Sequence, residues 1–313
     1  MAIDPNYDLS QAGLRPEEAL SPTVELQGAA PLDAEPALRG RGRRRVGFAV
    51  AIAWMVVVVF VAFFHTWLPL APYDEIVGNP KQKPCLCWEE PLGTDSIGRS
   101  VASRLAVGAR QSLIVGVGSV ALAFLVGGMV GVVAGYRRGM TDRAISLMVN
   151  AGLAFPALIF LLALAAMLTP SLESITVALA VLFSFQFARL ARANTLGVAS
   201  REFVVASRAS GARQSRILVY DIIPNVAVPL ISYAFVITAA AMVAEGGLSF
   251  LGFGIPPPAP SWGGMIAAGR PALDEDPWLV FIPCLALLFT VLALNSVGEW
   301  ARRHFEGREI ALN

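Results

Sequence analysis

The sequence predicts an all-α membrane protein with six transmembrane helices, and two observations carry this prediction. Of the 313 residues, 56% are hydrophobic and only 15% are charged, whereas a soluble globular domain is about half apolar and about a quarter charged. The apolar residues are also gathered into long runs. A helix needs about 20 apolar residues to cross the ~30 Å hydrocarbon core of a bilayer, and these runs are long enough.

Each of the six apolar runs is predicted to be one span. The runs lie at residues 46–68, 111–135, 144–168, 174–193, 225–248 and 278–298. The fourth run ends near Arg189 and Arg192, whose long side chains can extend from a helix end to the lipid headgroups. Before the second run, residues 101–113 place apolar residues at helical spacing around Arg104 and Arg110. That pattern predicts a separate amphipathic helix at the membrane interface.

Arginine placement predicts the orientation, because cytoplasmic connections carry an excess of basic residues. Arginines cluster before the first run, between the second and third, between the fourth and fifth, and after the sixth. These regions share one side if all six runs cross, so both termini are expected in the cytoplasm. The predicted organisation is a disordered N-terminal tail with a basic end (1–45), the first span (46–68), an extracytoplasmic loop (69–110), a core of five spans (111–308) and a C-terminal tail (309–313).

Few polar groups interrupt the apolar runs, and three of them are candidates for a translocation path: Asn150, Gln186 and Glu245. An ionisable group in a membrane costs about 2.5–3.5 kcal/mol on insertion scales, so it normally faces protein or water. For Glu245 two interpretations stay open, structural hydrogen bonding or lining of the path. Glycines recur every four residues in the second run, at Gly127, Gly131 and Gly135. This spacing predicts that another helix packs closely on that face.

The sequence contains no recognisable catalytic or nucleotide-binding arrangement. It has no glycine-rich phosphate loop with a lysine, and its only histidines are His65 and His304. We therefore expect no bound cofactor, no metal site and no chemistry of its own. Cys85 and Cys87 lie one residue apart in the predicted outer loop. Free or structural thiols, a strained disulfide and metal ligands stay open for them, in that order.

The connection between the fourth and fifth runs, residues 200–225, is longer than a simple turn requires. Residues 202–211 read EFVVASRASG, which predicts a short helix that ends at a glycine. A glycine just past a helix end can adopt the left-handed conformation that other residues resist. A loop of this kind is expected to be held by a partner in the cytoplasm.

Three segments resemble the inner-membrane permease subunits of ATP-binding-cassette peptide importers. The resemblance is closest to the second permease of dipeptide and oligopeptide systems, the DppC/OppC type. The segments are PLGTDSIGR at 91–99 with GARQSL at 108–113, the loop at 202–211, which resembles the family's "EAA" coupling motif, and GLSFLGFGIPPPAPSWG at 247–263. With the order of the spans, the resemblance covers residues 46–308.

The resemblance implies a type I importer permease architecture in a bacterial cell membrane. It implies a helix that docks on a cytoplasmic ATPase, and the coupling residues it assigns are Glu202, Ala206, Arg208, Ala209, Gly211, Arg213, Pro224 and Asn225. Gly211 would turn the chain, and Pro224 would start the next helix, where a missing amide donor is harmless. The implied partners are a second, homologous permease, two ATPases that bind ATP and magnesium, and an extracytoplasmic substrate-binding protein.

The implied substrate is a peptide, and no nucleic acid is expected. Similar permeases carry nickel complexes or glutathione, which remain alternatives for the substrate. Two other classes also stay open. One is an ion-driven secondary transporter, although no internal repeat of the kind common in that class is visible. The other is a membrane scaffold protein, which would not explain the loop at 202–211.

Overall fold

The computed structural model describes residues 36–85 and 90–310. The chain divides into two units, Met1–Arg45 and Val46–Asn313, and every contact discussed below lies within the second. Every regular element in the described ranges is helical, which confirms the predicted fold class. The α-helices are α1 (Pro36–Phe64), α2 (Val101–Arg137), α3 (Gly139–Ala154), α4 (Ala157–Met167), α5 (Leu172–Val198), α6 (Glu202–Ala209), α7 (Gln214–Arg216), α8 (Ile223–Phe250), α9 (Trp262–Gly269) and α10 (Trp278–Ile310). Most of the predicted tail 1–45 and the last residues of 309–313 lie outside the described residues.

Five helical segments of the described chain are long and apolar enough to cross a membrane. They are Val46–Trp67, Val101–Arg137, Leu172–Val198, Gln214–Phe250 and Trp278–His304. The sixth predicted span, 144–168, is not one straight helix. It forms α3 and α4, which meet at an angle of 94°. The six predicted spans are therefore present only if this bent pair is counted as one.

The break in the third run lies at Pro156. Phe155, the residue before it, has φ −72° and ψ 137°, an extended conformation. A proline ring disfavours the helical conformation in the preceding residue, so α3 ends at Ala154 and α4 begins after the proline. The third predicted span is therefore divided into two helices by its proline.

The residues predicted to form an interfacial helix, 101–113, are helical, but they are the first three turns of α2 and not a separate helix. Ser100 caps this 37-residue helix by accepting a hydrogen bond from the Ser103 amide at 3.3 Å. Arg104 does not face lipid headgroups. It is buried, and its guanidinium donates to the carbonyls of Tyr73 and Pro258 at 3.3 and 3.4 Å. The basic residue that suggested an interface is instead satisfied inside the protein.

The glycine face of α2 packs directly on α5, as the spacing predicted. A Cβ atom at Gly127 would lie 2.2 Å from the Ser184 carbonyl oxygen, and one at Gly131 would lie 2.2 Å from that of Ala188. Real Cβ atoms essentially never come closer than 3.0 Å to such atoms. The backbones of the two helices therefore touch, which only glycine permits.

Helix α5 extends to Val198, five residues beyond its predicted end. Arg192 lies just before that predicted end, and its guanidinium forms a two-point ion pair with Asp142 of α3, Nη2 to Oδ2 at 2.8 Å and Nε to Oδ1. The charge of Arg192 is thus paired with a neighbouring helix, and its extension to the headgroups stays a prediction.

Pro224 is the second residue of α8, but the longer helical segment that contains it begins earlier in the chain. A π-helical turn, Ile217–Ile222, and α7 precede it without a break, so the helical segment begins at Gln214. Proline cannot donate to the carbonyl four residues earlier, and wider π turns absorb such defects in a helix. The prediction that Pro224 starts this helix holds only for its α-helical part.

Cys85 is disulfide-bonded, so a free thiol at this position is excluded. Cys87 lies outside the described residues.

The loop that carries Cys85 is attached to the connection before α10, because the Lys81 ammonium lies 3.0 Å from Glu275 and 3.2 Å from Asp276. These two hydrogen-bonded carboxylates raise the pKa of Lys81. We call this side of the molecule, residues 69–85, 90–100 and 251–277, the loop end.

Candidate functional site

The short helix α6 lies in the connection that the sequence singled out, and local chemistry accounts for both of its ends. Glu202 is in the first turn and Arg208 is in the last. An acidic residue near the start and a basic residue near the end both interact favourably with the helix dipole. The predicted short helix therefore exists, with the predicted residues at its termini.

Gly211 ends α6 in the predicted manner, with φ at +77°. The Gly211 amide donates to the Arg208 carbonyl at 3.1 Å, and the Ala212 amide donates to the Ser207 carbonyl at 3.2 Å. This pair of bonds is the Schellman motif, which satisfies carbonyl groups at a helix end. A Cβ at Gly211 would meet nothing within 4 Å. The requirement for glycine here is therefore the backbone angle alone.

A single side chain of α6 is fully buried against the helical body. Val204 has no exposed surface and packs in the core cluster that contains Ile217 and Ile222. Phe203 and Val205 on either side of it are 43% and 53% exposed. Ala206, Arg208 and Ala209 are exposed as well. The helix thus presents an apolar and basic outer surface while one valine anchors it.

The other predicted coupling residues lie on two different parts of this region. Arg213 is exposed and stands at the start of α7, close in sequence to α6. Pro224 and Asn225 belong to α8, and the Asn225 side chain lines a cavity together with Arg201, the residue before α6. The predicted coupling residues between 202 and 213 are therefore all exposed, and Asn225, also exposed, borders the cavity.

That cavity has a volume of about 720 Å³ and lies between α5, α8 and α10. Its polar lining includes Asn194 of α5, Asn225 and Tyr233 of α8, and Asn295 of α10. Arg201, Glu299 and Arg302 also border it. Ligand sites commonly fall in the range of about 300–1,000 Å³, so its size suits a small organic ligand.

The three predicted path residues have separate surroundings. Asn150 is exposed on α3 and lines a pocket of about 150 Å³ with Arg189 and Arg192. Gln186 accepts a hydrogen bond from the Tyr233 hydroxyl at 3.0 Å, and Tyr233 borders the large cavity. Glu245 lies near the loop end. The structure does not assemble these residues into one site.

Glu245 joins the end of α8 to the loop end. The side chain is 1% exposed, and its Oε1 accepts from the hydroxyls of Ser249 and Ser261, each at 2.7 Å. Ser261 also caps α9 by accepting from the Gly264 amide at 2.9 Å. Where α8 and α9 cross, a Cβ at Gly263 would lie 2.3 Å from the Gly246 Cα. This geometry favours the structural interpretation of Glu245.

The first and third segments that carry the family resemblance meet at the loop end. The Asp95 carboxylate accepts from the amides of Ile97 and Arg99 at 3.0 and 2.9 Å, and from the Arg99 Nε at 2.7 Å. Its Oδ2 also lies 3.5 Å from the Nε of Arg104. The Trp262 amide donates to the Ser112 hydroxyl at 3.1 Å, which joins the third segment to the first. Two segments about 150 residues apart in sequence thus form one structural unit.

Comparison with known proteins connects these features to a family. A family profile described as "Binding-protein-dependent transport system inner membrane component" matches residues 127–310, which is more than half of the chain. The chain belongs to this family. It is accordingly a multi-pass inner-membrane permease component, and the matched range contains α6, the large cavity and both partners of the α8–α9 crossing.

Individual relatives agree with the family assignment. The chain is 34% identical to the Di/tripeptide transport system permease protein DppC of Pseudomonas aeruginosa, over 80% of this chain and 84% of that protein. It is 33% identical to the Dipeptide transport system permease protein DppC of Alkalihalophilus pseudofirmus, over 81% of this chain and 84% of the relative.

A solved structure shares the fold. A chain of the MetNI methionine ABC transporter, in an inward-facing conformation, superposes with a TM-score of 0.55 at 19% sequence identity. The match covers 64% of this chain and 96% of that one. At this identity the likeness concerns the fold alone, and it confirms the predicted importer-permease architecture.

Sequence reasoning missed Asn194, Asn295 and Tyr233 as members of a permease cavity. Asn194 and Asn295 lie at the ends of apolar runs, where polar residues are common and carry little signal. The sequence carried one signal for each. Asn194 lies just before the connection at 200–225, and Asn295 lies near the end of the last span. Their common cavity follows only from the packing of three helices.

Proposed function

We propose that this permease is a subunit of an ATP-driven peptide importer and that α6 transmits the motion of a cytoplasmic ATPase. The observation that carries the proposal is the exposure of α6. A helix of eight residues, anchored by Val204 alone, leaves Phe203 and Val205 about half exposed beside Arg208. Exposed apolar side chains grouped with charge are typical of protein interaction sites.

The physical role follows from how α6 is attached. Val204 packs against the π-helical turn 217–222, which continues directly into the long helix α8. A force on α6 is therefore transmitted to a transmembrane helix through a buried contact. Small Ala206 and Ala209 allow a partner to approach closely, and Arg208 supplies charge-assisted hydrogen bonds. ATP binding and hydrolysis in the partner would then move the docked permease as a rigid body.

In this assembly both termini and α6 face the cytoplasm, as the arginine distribution indicates. The chain pairs with a second, homologous permease to enclose the path and with two ATPases that bind ATP and magnesium. The loop end faces an extracytoplasmic binding protein that delivers substrate. The chain itself binds no nucleotide or metal and performs no catalysis. A peptide substrate is supported by the relatives, which are named di/tripeptide and dipeptide permeases.

The test compares two substitutions of Gly211 in the co-expressed complex, reconstituted in lipid with the binding protein. Gly211→Val forces a β-branched residue to φ +77°, whereas Gly211→Asn introduces a residue that tolerates the left-handed conformation. Neither side chain meets another atom near its Cβ. We expect peptide-stimulated ATP hydrolysis to fall about tenfold or more in the valine variant and about twofold or less in the asparagine variant.

The measured quantity is the ATP hydrolysis rate with and without dipeptide, and membrane insertion is checked by the yield of the complex. Equal stimulation in both variants would contradict the role of α6. If no ATPase co-purifies with the native chain, ATP-driven import itself is contradicted, and ion-driven uptake becomes the interpretation to test.

A further inference from the structure

Three asparagines, one from each wall helix, line the cavity between α5, α8 and α10. They are Asn194, Asn225 and Asn295. Each side-chain amide nitrogen donates to the carbonyl four residues earlier on its own helix. The distances are 2.9 Å to Leu190, 2.7 Å to Asp221 and 2.9 Å to Val291.

These bonds determine how each amide is oriented. A backbone carbonyl can only accept, so the side-chain nitrogen must face it and the side-chain oxygen must point away. None of the three Oδ1 atoms has a hydrogen-bond partner in the described part of the chain. The same arrangement on three helices leaves three acceptor oxygens around one cavity.

The hydroxyl groups that line the cavity are already engaged within the chain. The Tyr233 hydroxyl donates to Gln186 at 3.0 Å, and the Ser232 hydroxyl donates to the Val228 carbonyl at 3.4 Å. Of the two bordering arginines, Arg302 donates to Glu299 at 2.9 Å, and Arg201 also has an interaction within the protein. The hydroxyl donors are therefore engaged within the chain, whereas each asparagine keeps an open acceptor oxygen beside its second amide N–H.

We propose that this cavity binds the terminal ammonium group of the transported peptide. The inference rests on the proposed function, because it takes the ligand to be the cargo of the permease. An ammonium group has three N–H donors and no acceptor, which matches a wall of neutral acceptor oxygens from three helices. Hydrogen bonds to a charged donor are also stronger than those between neutral groups.

The position of the cavity gives the site a function in transport. It lies at the end of the helices next to α6, since Arg201 both borders it and immediately precedes α6. Transport requires binding that is favourable enough for entry and weak enough for release. Neutral amide oxygens meet this requirement better than carboxylates would. A peptide with a free amino terminus would be held here before it leaves toward the ATPase side.

The experiment measures equilibrium binding of radiolabelled dialanine to the purified complex in lipid nanodiscs, without binding protein and without ATP. N-acetyl-dialanine is the competitor that lacks the ammonium group. Asn295→Leu and Asn194→Leu remove the acceptor while keeping the number of side-chain heavy atoms and the branch at Cγ. Asn295→Asp keeps an acceptor and adds negative charge. Ser296→Ala is the matched control, because Ser296 is adjacent to Asn295, bonds the Leu292 carbonyl in the same way and lies outside the cavity lining.

We expect each leucine variant to weaken dialanine binding about tenfold, the factor that ~1.4 kcal/mol represents. The aspartate variant should bind at least as tightly as the native complex, although aspartate cannot donate to the Val291 carbonyl. Ser296→Ala should bind normally, and N-acetyl-dialanine should compete poorly. If Asn295 had only a structural role, the aspartate variant would bind dialanine more weakly than the native complex. Both substitutions would then weaken binding, because both remove the donor to the Val291 carbonyl.

Three results would overturn the inference. They are unchanged affinity in the leucine variants, equal competition by the acetylated peptide, and no saturable binding to a complex whose peptide-stimulated ATP hydrolysis is intact. Because the measurement needs neither ATP nor the binding protein, it is separate from the test of α6. Acceptor-dependent binding without stimulated hydrolysis would support the site and contradict the importer mechanism.

Discussion

The contact between α2 and α5 gives a prediction that can be worked out from distances. Gly127 and Gly128 are adjacent in α2, but a Cβ at Gly127 would lie 2.2 Å from the Ser184 carbonyl oxygen, whereas a Cβ at Gly128 would meet only Leu230 Cδ2 at 3.4 Å. To bring the first contact to 3.0 Å, the helices must separate by at least 0.8 Å, the difference between 3.0 and 2.2 Å.

The magnitude follows from what such a separation costs. A gap of about 0.5–1 Å removes a quarter to a half of the dispersion energy of each contact, and overpacking substitutions typically cost about 1–3 kcal/mol. Both variants gain about 0.5–1 kcal/mol because alanine is the better helix former. We therefore expect Gly128→Ala to be slightly stabilising, and Gly127→Ala to be less stable than Gly128→Ala by about 1–3 kcal/mol.

The assay is unfolding of the purified chain by sodium dodecyl sulfate in mixed micelles, followed by circular dichroism. The free energy of unfolding is compared between the two variants, and the shared gain in helix propensity cancels. Equal stability of the two variants would refute the conclusion that the α2 and α5 backbones touch. Gly131, with the same 2.2 Å approach to the Ala188 carbonyl, provides a repeat of the test one turn further along.

Further predictions concern the loop end and Glu245, which joins it to α8. Glu245→Ala should reduce the free energy of unfolding by about 1–3 kcal/mol, because it leaves the hydroxyls of Ser249 and Ser261 buried without an acceptor. Glu245→Gln keeps an acceptor oxygen and should cost less in the same assay. An equal loss of stability in the two variants would contradict the structural role. Asp95→Ala should raise amide hydrogen exchange at residues 96–99, whose turn it holds. Lys81→Met should change amide hydrogen exchange at residues 96–99 only slightly, because the ion pairs of Lys81 are solvent-accessible. The raised pKa of Lys81 implies that its contribution is constant below about pH 10 and is lost only as the pH rises through that pKa.

The positions of the membrane-crossing segments could be predicted because they depend on composition over about 20 residues. The end of α6 was predictable for a different reason, since a left-handed residue after a short helix is a local requirement that glycine meets best. The shape of the third segment was not predictable from its proline alone. Pro229 and Pro283 lie inside α8 and α10, which continue through them, whereas Pro156 separates α3 from α4. Neighbouring helices can compensate for the missing hydrogen bond at such sites.

The sequence by itself determined which segments enter the bilayer, which helix faces of α2 allow close packing and where the short helix α6 ends. Each of these depends on residues close together in the chain. Only the tertiary structure decided that Arg104 is buried, that Glu245 joins Ser249 to Ser261, and that Asn194, Asn225 and Asn295 share a cavity. Such groupings depend on the rotation and crossing of helices distant in sequence, which are set by the side chains of all the packed helices together.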